Sequence, residues 1–272
     1  MDFHMGPALL FCPADRPDRY DKALDRADAV ILDLEDAVAA ADKDAARAAL
    51  LARPLDPERT IVRVNAARTP EHPEDLDALR QTGYRTVMLA KAEEPQDLAG
   101  LADYAVLALC ETARGVLAAA ALAALDNVTA LMWGAEDLVA SLGGTSSRTG
   151  TGSYRDVARQ ARSQVLLAAG AWHKAAIDSV YLDLADPAGL ADEAADAAAS
   201  GFRAKAAIHP SQAEVIRRAF RPTEEEAAYA ADLLEAARRE AGAFRFRGRM
   251  VDEPLIRNAR QTLRRAGRPL IE

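Results

Sequence analysis

The stretch ALMWGAEDLVASLGG, residues 130–144, opens as an apolar run, passes through two adjacent carboxylates, Glu136 and Asp137, and continues into a helical pattern ending on a glycine pair. An uninterrupted apolar run, rather than an alternating one, is how a strand reads when helices cover both faces of a parallel sheet. The acids then stand at the tip of a buried strand, where a charge needs a partner or a ligand.

The same pattern recurs along the chain. Short β-favouring runs begin at Ala8 (ALLFCPA), Ala29 (AVILDLED), Thr60 (TIVRVN), Thr86 (TVMLAKA), Ala105 (AVLALCET), Val128 (VTALMWGAED), Ser179 (SVYLDL) and Phe202 (FRAKAAIHP). Between them lie Ala-rich stretches of helical period such as DKDAARAALLA and YRDVARQARSQVLLAAGA. Eight β/α units predict a TIM (β/α)8 barrel over residues 1–221, followed by a C-terminal helical extension, 222–272, acting as a lid. A doubly wound open sheet is the rival, but GTGS at Gly150–Ser153 lacks a third glycine, does not directly follow a strand, and no GxxxxGK[ST] occurs. The sixth and seventh runs are about 50 residues apart, longer than ordinary βα loops, and room for a second lid lies there.

Composition narrows the function. The 272 residues are 50% hydrophobic and 5% aromatic with a net charge of −8, enough for a large core and against a nucleic-acid groove, which needs clustered Lys and Arg. Cys12 and Cys110 have no CxxC or Cys/His spacing and are expected as buried thiols. No leader-like start and no run of membrane-spanning length appear, so a cytoplasmic protein without a membrane partner is expected.

In a TIM barrel the strand C-termini carry the active site. Here they supply Asp33, Glu35 and Asp36, then Arg63 and Asn65, Lys91 and Glu93, Glu111 and Thr112, Glu136 and Asp137, Asp183, and His209. Several acids converging beside an arginine suggest a hard divalent cation, Mg²⁺ or Mn²⁺, and an anionic substrate.

Seven segments in this order, ALLFCPADRPDRYDKAL, AVILDLEDAV, IVRVN, LAKAEE, CETARGV, WGAEDL and RGRMVDEPLIRNA, resemble the HpcH/HpaI aldolase/citrate lyase superfamily, in particular its citrate lyase β-subunit-like branch with malyl-CoA and citramalyl-CoA lyases. The resemblance covers nearly the whole chain. It implies a magnesium ion, reversible carbon–carbon cleavage of a 3-hydroxyacyl-CoA to acetyl-CoA and an α-keto acid, and a homotrimer with sites near subunit interfaces.

Residue by residue, the resemblance places Glu111 and Asp137 at the metal, Arg63 on the substrate and Glu35 beside the metal or its waters. Asp252 is placed as an acid/base from the C-terminal segment, and Arg16 and Lys22, in the first basic loop with Arg19, near CoA. Each position has a plainer reading. Asp137 would cap a helix, Arg63 would pair with Glu35, Asp36 would cap the next helix, Glu136 would be structural, Asp252 would cap the final helix before Pro254, and Arg16 and Lys22 would be solvated. A lysine on a barrel strand also raises Schiff-base chemistry for Lys91, although the resemblance assigns it no covalent role, and His209 before proline is expected to be structural. CPADRP departs from the VPG of many relatives. A CoA-independent pyruvate aldolase and a non-catalytic acyl-CoA-binding subunit are the alternatives.

Overall fold

The computed structural model describes residues 3–240 and 242–269. Among these, eight parallel strands close into a barrel in sequence order, the eighth pairing with the first: β1 Ala8–Pro13, β2 Ala29–Asp33, β3 Thr60–Val64, β4 Thr86–Leu89, β5 Ala105–Cys110, β6 Val128–Trp133, β7 Ala175–Asp178 and β8 Ala204–Ala207. The connecting helices are α1 Tyr20–Arg26, α2 Lys43–Ala52, α3 Glu71–Arg80, α4 Ala113–Ala123, α5 Ala135–Ser141, α6 Asp156–Ala171, α7 Pro187–Ser200 and α8 Pro210–Phe220. A 3-10 stretch, Pro95–Leu101, stands in place of an α-helix between β4 and β5.

Because side chains alternate along a strand, each strand gives one set of residues to the barrel interior and the other to the helices. Leu9, Ile31, Ile61, Leu107, Ile177 and Ala206 belong to a buried apolar cluster with members on every strand. Continuing that parity to the strand ends assigns Asp33, Arg63 and Glu111 to the inner side and Trp133, Asp178 and Lys205 to the outer.

The seventh strand differs from its expected place. It runs through Ala175–Asp178, ahead of SVYLDL, so Asp183 is not at a strand tip; it is exposed and its carboxylate accepts from the Ala185 N–H at 2.9 Å. Val180 and Tyr181 have the stronger β propensity, but Ala175, Ala176 and Ile177 are the residues that pair with Ala130, Leu131 and Met132 of β6. The strand's acid is Asp178, fully buried on the outer side. It accepts from Trp133 Nε1 at 2.7 Å and Arg162 Nε at 2.9 Å, and pairs with Lys205 Nζ at 3.0 Å. Lys205, itself fully buried, also reaches Glu193 of α7 at 2.8 Å. Burial opposes the Asp178 charge, yet Lys205 and Arg162 outweigh it and hold the carboxyl below its ordinary range.

The long connection after β6 is fastened down rather than free. Arg148 pairs with Glu193 at 2.7 Å and stacks 3.8 Å over Tyr154, whose hydroxyl reaches Glu193 at 3.1 Å. Ser147 donates to Glu136 at 2.5 Å, which gives Glu136 a loop-holding role.

The chain divides into a compact unit up to Ile216 and a second from Arg217. The second holds α9 Glu224–Ala237, started by a Thr223/Glu226 capping box, and α10 Glu253–Arg265, with a core including Leu233, Leu234, Phe244, Val251 and Leu263. Between these helices lies a hairpin, β9 Phe244–Phe246 and β10 Arg249–Val251. Its two-residue turn, Arg247 (φ 45°) and Gly248 (φ 84°), has the positive angles of a type I′ turn. No described helix is long and apolar enough to cross a membrane.

Removing one partner from a buried ion pair leaves the other charge stranded. Lys205→Met is therefore expected to lower the free energy of unfolding by about 3 kcal/mol, measured by urea denaturation; an unchanged midpoint would show the network to be dispensable.

Candidate active site

The inner ends of β2 and β3 carry a buried pair. Arg63 donates to Asp33 through Nε at 2.7 Å and Nη2 at 2.5 Å, and its Nη1 lies 3.0 Å from Glu35 Oε2. Its guanidinium stands 4.8 Å over the Phe11 ring. Burial opposes this charge, but Asp33, then Glu35 and Glu111, outweigh it and keep Arg63 firmly ionised. Asp33, whose strand ends there, also turns the chain: its two oxygens accept from the N–H groups of Glu35 at 2.8 Å and Ala37 at 3.2 Å. That turn brings Glu35 and Asp36 back over the barrel mouth. Below it, the buried Lys43 ammonium ties the Leu34 and Glu35 carbonyls and Asn65, so Asn65 is a brace for this turn.

Glu35 and Asp36 lie just past the end of β2. Both acids meet Lys91, Glu35 Oε1 in a short contact and Asp36 Oδ2 at 3.0 Å. Asp36 is thus an ion-pair partner rather than a helix cap. Both Glu35 oxygens are occupied, Oε2 accepting from the Asp36 N–H at 2.9 Å as well as facing Arg63. This suits an organiser of Arg63 and Lys91.

Glu111, just past β5, is 3% exposed and accepts from the Lys91 N–H at 3.2 Å. Gly134 makes room for it: a Cβ there would stand 2.8 Å from both Cβ and Oε2 of Glu111. Asp137, expected at a strand tip, lies in the first turn of α5; the cap position is Gly134, and Asp137 is 3.7 Å from Lys91 Nζ. Burial first, and then repulsion from Asp137, pushes the Glu111 carboxyl up to about 8, against the pull of Arg63. A carboxyl raised by a neighbouring carboxylate is what a divalent cation relieves. Glu111 and Asp137 therefore suit a hard cation. Among the described residues no group of three or more His, Cys, Asp and Glu forms a complete metal cage, and Mg²⁺ takes only one or two protein carboxylates beside water and substrate oxygens.

Other candidates separate from this cluster. Thr112 caps α4 through the Gly115 N–H at 3.0 Å and donates to Glu93 at 2.8 Å. Lys91 lies just beyond β4; burial opposes its charge, but Glu35 and Asp36 hold its amine above the ordinary range, the wrong direction for a Schiff-base nucleophile. Burial pushes the Cys12 and Cys110 thiols up to about 11 and about 12, so neither is a thiolate nucleophile at neutral pH. A cavity of about 480 Å³ at the ends of β1 and β8 is lined by Arg19, Lys22, Cys12, Phe11 and His209. Arg16 is exposed and lies 3.7 Å from Asp18, while His209 bonds Ser211 at 2.8 Å. In the second unit, Asp252 occupies the N-cap position of α10 but makes no side-chain capping hydrogen bond. It is exposed, and lines a cavity of about 450 Å³ with Arg238 and Arg260.

The family model for HpcH/HpaI aldolase/citrate lyase matches residues 8–210. A citrate lyase subunit beta-like protein of Mycobacterium tuberculosis is 56% identical over 262 residues, covering 96% of both chains. Human mitochondrial citramalyl-CoA lyase is 32% identical over 290 residues, covering 94% of this chain and 84% of its own. The crystal structure of the M. tuberculosis protein CitE in complex with magnesium, acetoacetate and coenzyme A superposes with a TM-score of 0.93 at 56% identity, covering 97% of this chain and 98% of that one.

The raised Glu111 carboxyl has a consequence for pH. Below its ordinary value of 4.5 the folded and unfolded chains both hold the proton; between there and about 8 only the unfolded chain has released it. The fold therefore loses stability as pH rises through that window and loses no more above it. In chelator-treated protein, urea denaturation across this range should show that decline, and Glu111→Gln should flatten it. An identical slope in the variant would assign the titration elsewhere.

Proposed function

Because the chain belongs to the HpcH/HpaI aldolase/citrate lyase family, we propose that it is a magnesium-dependent carbon–carbon lyase. It reversibly cleaves a 3-hydroxyacyl-CoA of the malyl-CoA or citramalyl-CoA type to acetyl-CoA and an α-keto acid. The observation that carries this reading is that Glu111, a buried carboxyl raised beside Asp137, stands on the same inner rim as the Arg63 guanidinium. The relative that binds magnesium, acetoacetate and coenzyme A, and the human citramalyl-CoA lyase, support it.

Glu111 and Asp137 would hold the ion, which would supply Lewis-acid chemistry at the substrate hydroxyl and keto oxygens. Arg63 has its Nε edge fixed by Asp33, so it meets substrate oxygen through Nη donors already oriented. A preorganised guanidinium of this kind stabilises negative charge as it grows. In the cleavage direction the hydroxyl gives its proton to water, the carbon–carbon bond breaks, and its electron pair passes to the acetyl-CoA carbon as an enolate. Asp252, as acid, then returns a proton to that carbon; in synthesis it removes one. Its carboxyl, free of a capping bond, is available for that exchange. Lys22, with Arg19 in the β1 cavity, suits CoA phosphates, and Arg16 extends the same basic loop. We assign a homotrimer, in which Asp252 serves a neighbouring subunit's barrel, on the family resemblance of the GRMVDEP segment.

Incubation with Mg²⁺ and a panel of malyl-, citramalyl- and citryl-CoA should release acetyl-CoA from at least one, and lose it with a chelator. No release from any would favour a CoA-independent aldolase or a binding subunit. Asp252 is tested separately. A helix cap tolerates Asn almost as well as Asp, whereas a proton carrier does not, so Asp252→Asn should cost about a hundredfold or more in kcat with magnesium binding intact. Mixed Asp252→Asn and Glu111→Ala subunits should regain activity if the site is shared between subunits, and stay inactive if it is not.

A further inference from the structure

Lys91 follows β4 with φ 49°, in the left-handed region that side chains rarely adopt. Two contacts come from this backbone. Its N–H donates to Glu111 Oε1 at 3.2 Å, and its side chain, 30% exposed, brings the ammonium to Glu35, to Asp36 at 3.0 Å and to within 3.7 Å of Asp137 Oδ1. One residue thus touches both carboxylates assigned to the ion, Glu111 through the backbone and Asp137 through a positive charge.

We propose that the Lys91 ammonium competes with the divalent cation for Asp137, so that Lys91 is a positioning residue that tunes metal affinity. The inference rests on the reading that Glu111 and Asp137 hold Mg²⁺. A divalent ion at Asp137 stands a few ångströms from the ammonium, and in a half-buried site their repulsion is screened less than in bulk water. Lys91 retains Glu35 and Asp36 as partners when it yields Asp137, so withdrawal leaves no buried charge stranded. Meanwhile its N–H keeps Glu111 aimed at the same place whichever cation is present. The strained backbone is what allows both contacts from a single residue, and it explains why a lysine stands where glycine would be easier.

The competing physical picture is that the ammonium only gathers the carboxylates; removing it would then weaken metal binding. Calorimetric titration of Mg²⁺ into the full chain, without acyl-CoA, separates the two by sign. Lys91→Met and Lys91→Gly are expected to bind Mg²⁺ about tenfold tighter than the wild type, and Lys91→Arg about as the wild type does. After chelator treatment Lys91→Met should melt below the wild type, and saturating Mg²⁺ should narrow that difference. Lys91→Gly keeps the N–H to Glu111 and suits the backbone angle, so the test survives if Lys91→Met does not fold. Unchanged or weaker Mg²⁺ binding in these variants would overturn the competition while leaving the ion site standing. A wild type that binds no Mg²⁺ would overturn both.

Discussion

The salt bridge between Asp33 and Arg63 is the constraint from which the barrel mouth is built. An arginine on the inner side of a barrel strand is affordable only with a carboxylate in bidentate contact, and Asp33 is the adjacent strand's residue in register with it. The same carboxylate accepts two backbone N–H groups and so bends the chain after β2. That bend sets Glu35 against Arg63 and Lys91, and Lys91 in turn reaches Glu111 and Asp137. Losing Asp33 would leave a buried guanidinium unpaired and release the turn that holds the next acid.

Much of this was legible in the sequence, because a parallel barrel writes its strands as apolar runs and its site at their ends. Asp33, Glu35, Arg63, Glu111 and Asp137 all follow such runs. What escaped has physical causes. AAID is too short and alanine-rich to compete with the more β-prone SVYLDL downstream, so β7 and Asp178 were displaced by a few residues. Asp137 follows Gly134 and Ala135, which in sequence extend a strand but in space begin α5. The role of Lys91 depends on a positive φ that a lysine codon gives no reason to expect. The hairpin in the second unit hides behind Arg247, since a type I′ turn is ordinarily announced by Asn-Gly rather than Arg-Gly.

The resemblance and the geometry contribute different things. Family membership comes from residues spread over nearly the whole chain and supports a reaction class. The geometry says which groups remain available for it. Glu35, with both oxygens engaged, holds Arg63 and Lys91, whereas Asp252 makes no capping bond at the start of α10. Arg63 has one edge fixed and its outer donors oriented.

Two ion networks stand on opposite sides of the barrel wall, the inner one at the ends of β2 to β5 and in α5, the outer one on β7, β8 and the helices beside them, and their charges balance differently. On the outer side Asp178, Glu193 and Asp196 face Lys205, Arg162 and Arg148, carboxylate for cation. A network that only fastens helices to a sheet gains nothing from excess charge, since each unmatched buried ion raises the cost of folding. On the inner side Asp33, Glu35, Asp36, Glu111 and Asp137 gather around Arg63 and Lys91. The surplus is of carboxylates, and the most deeply buried free member of it, Glu111, responds by holding its proton to about pH 8. Such an arrangement is unfavourable for stability alone. It is favourable once a divalent cation is part of the balance, and the lone ammonium of Lys91 is too little charge to substitute for it while being close enough to oppose it.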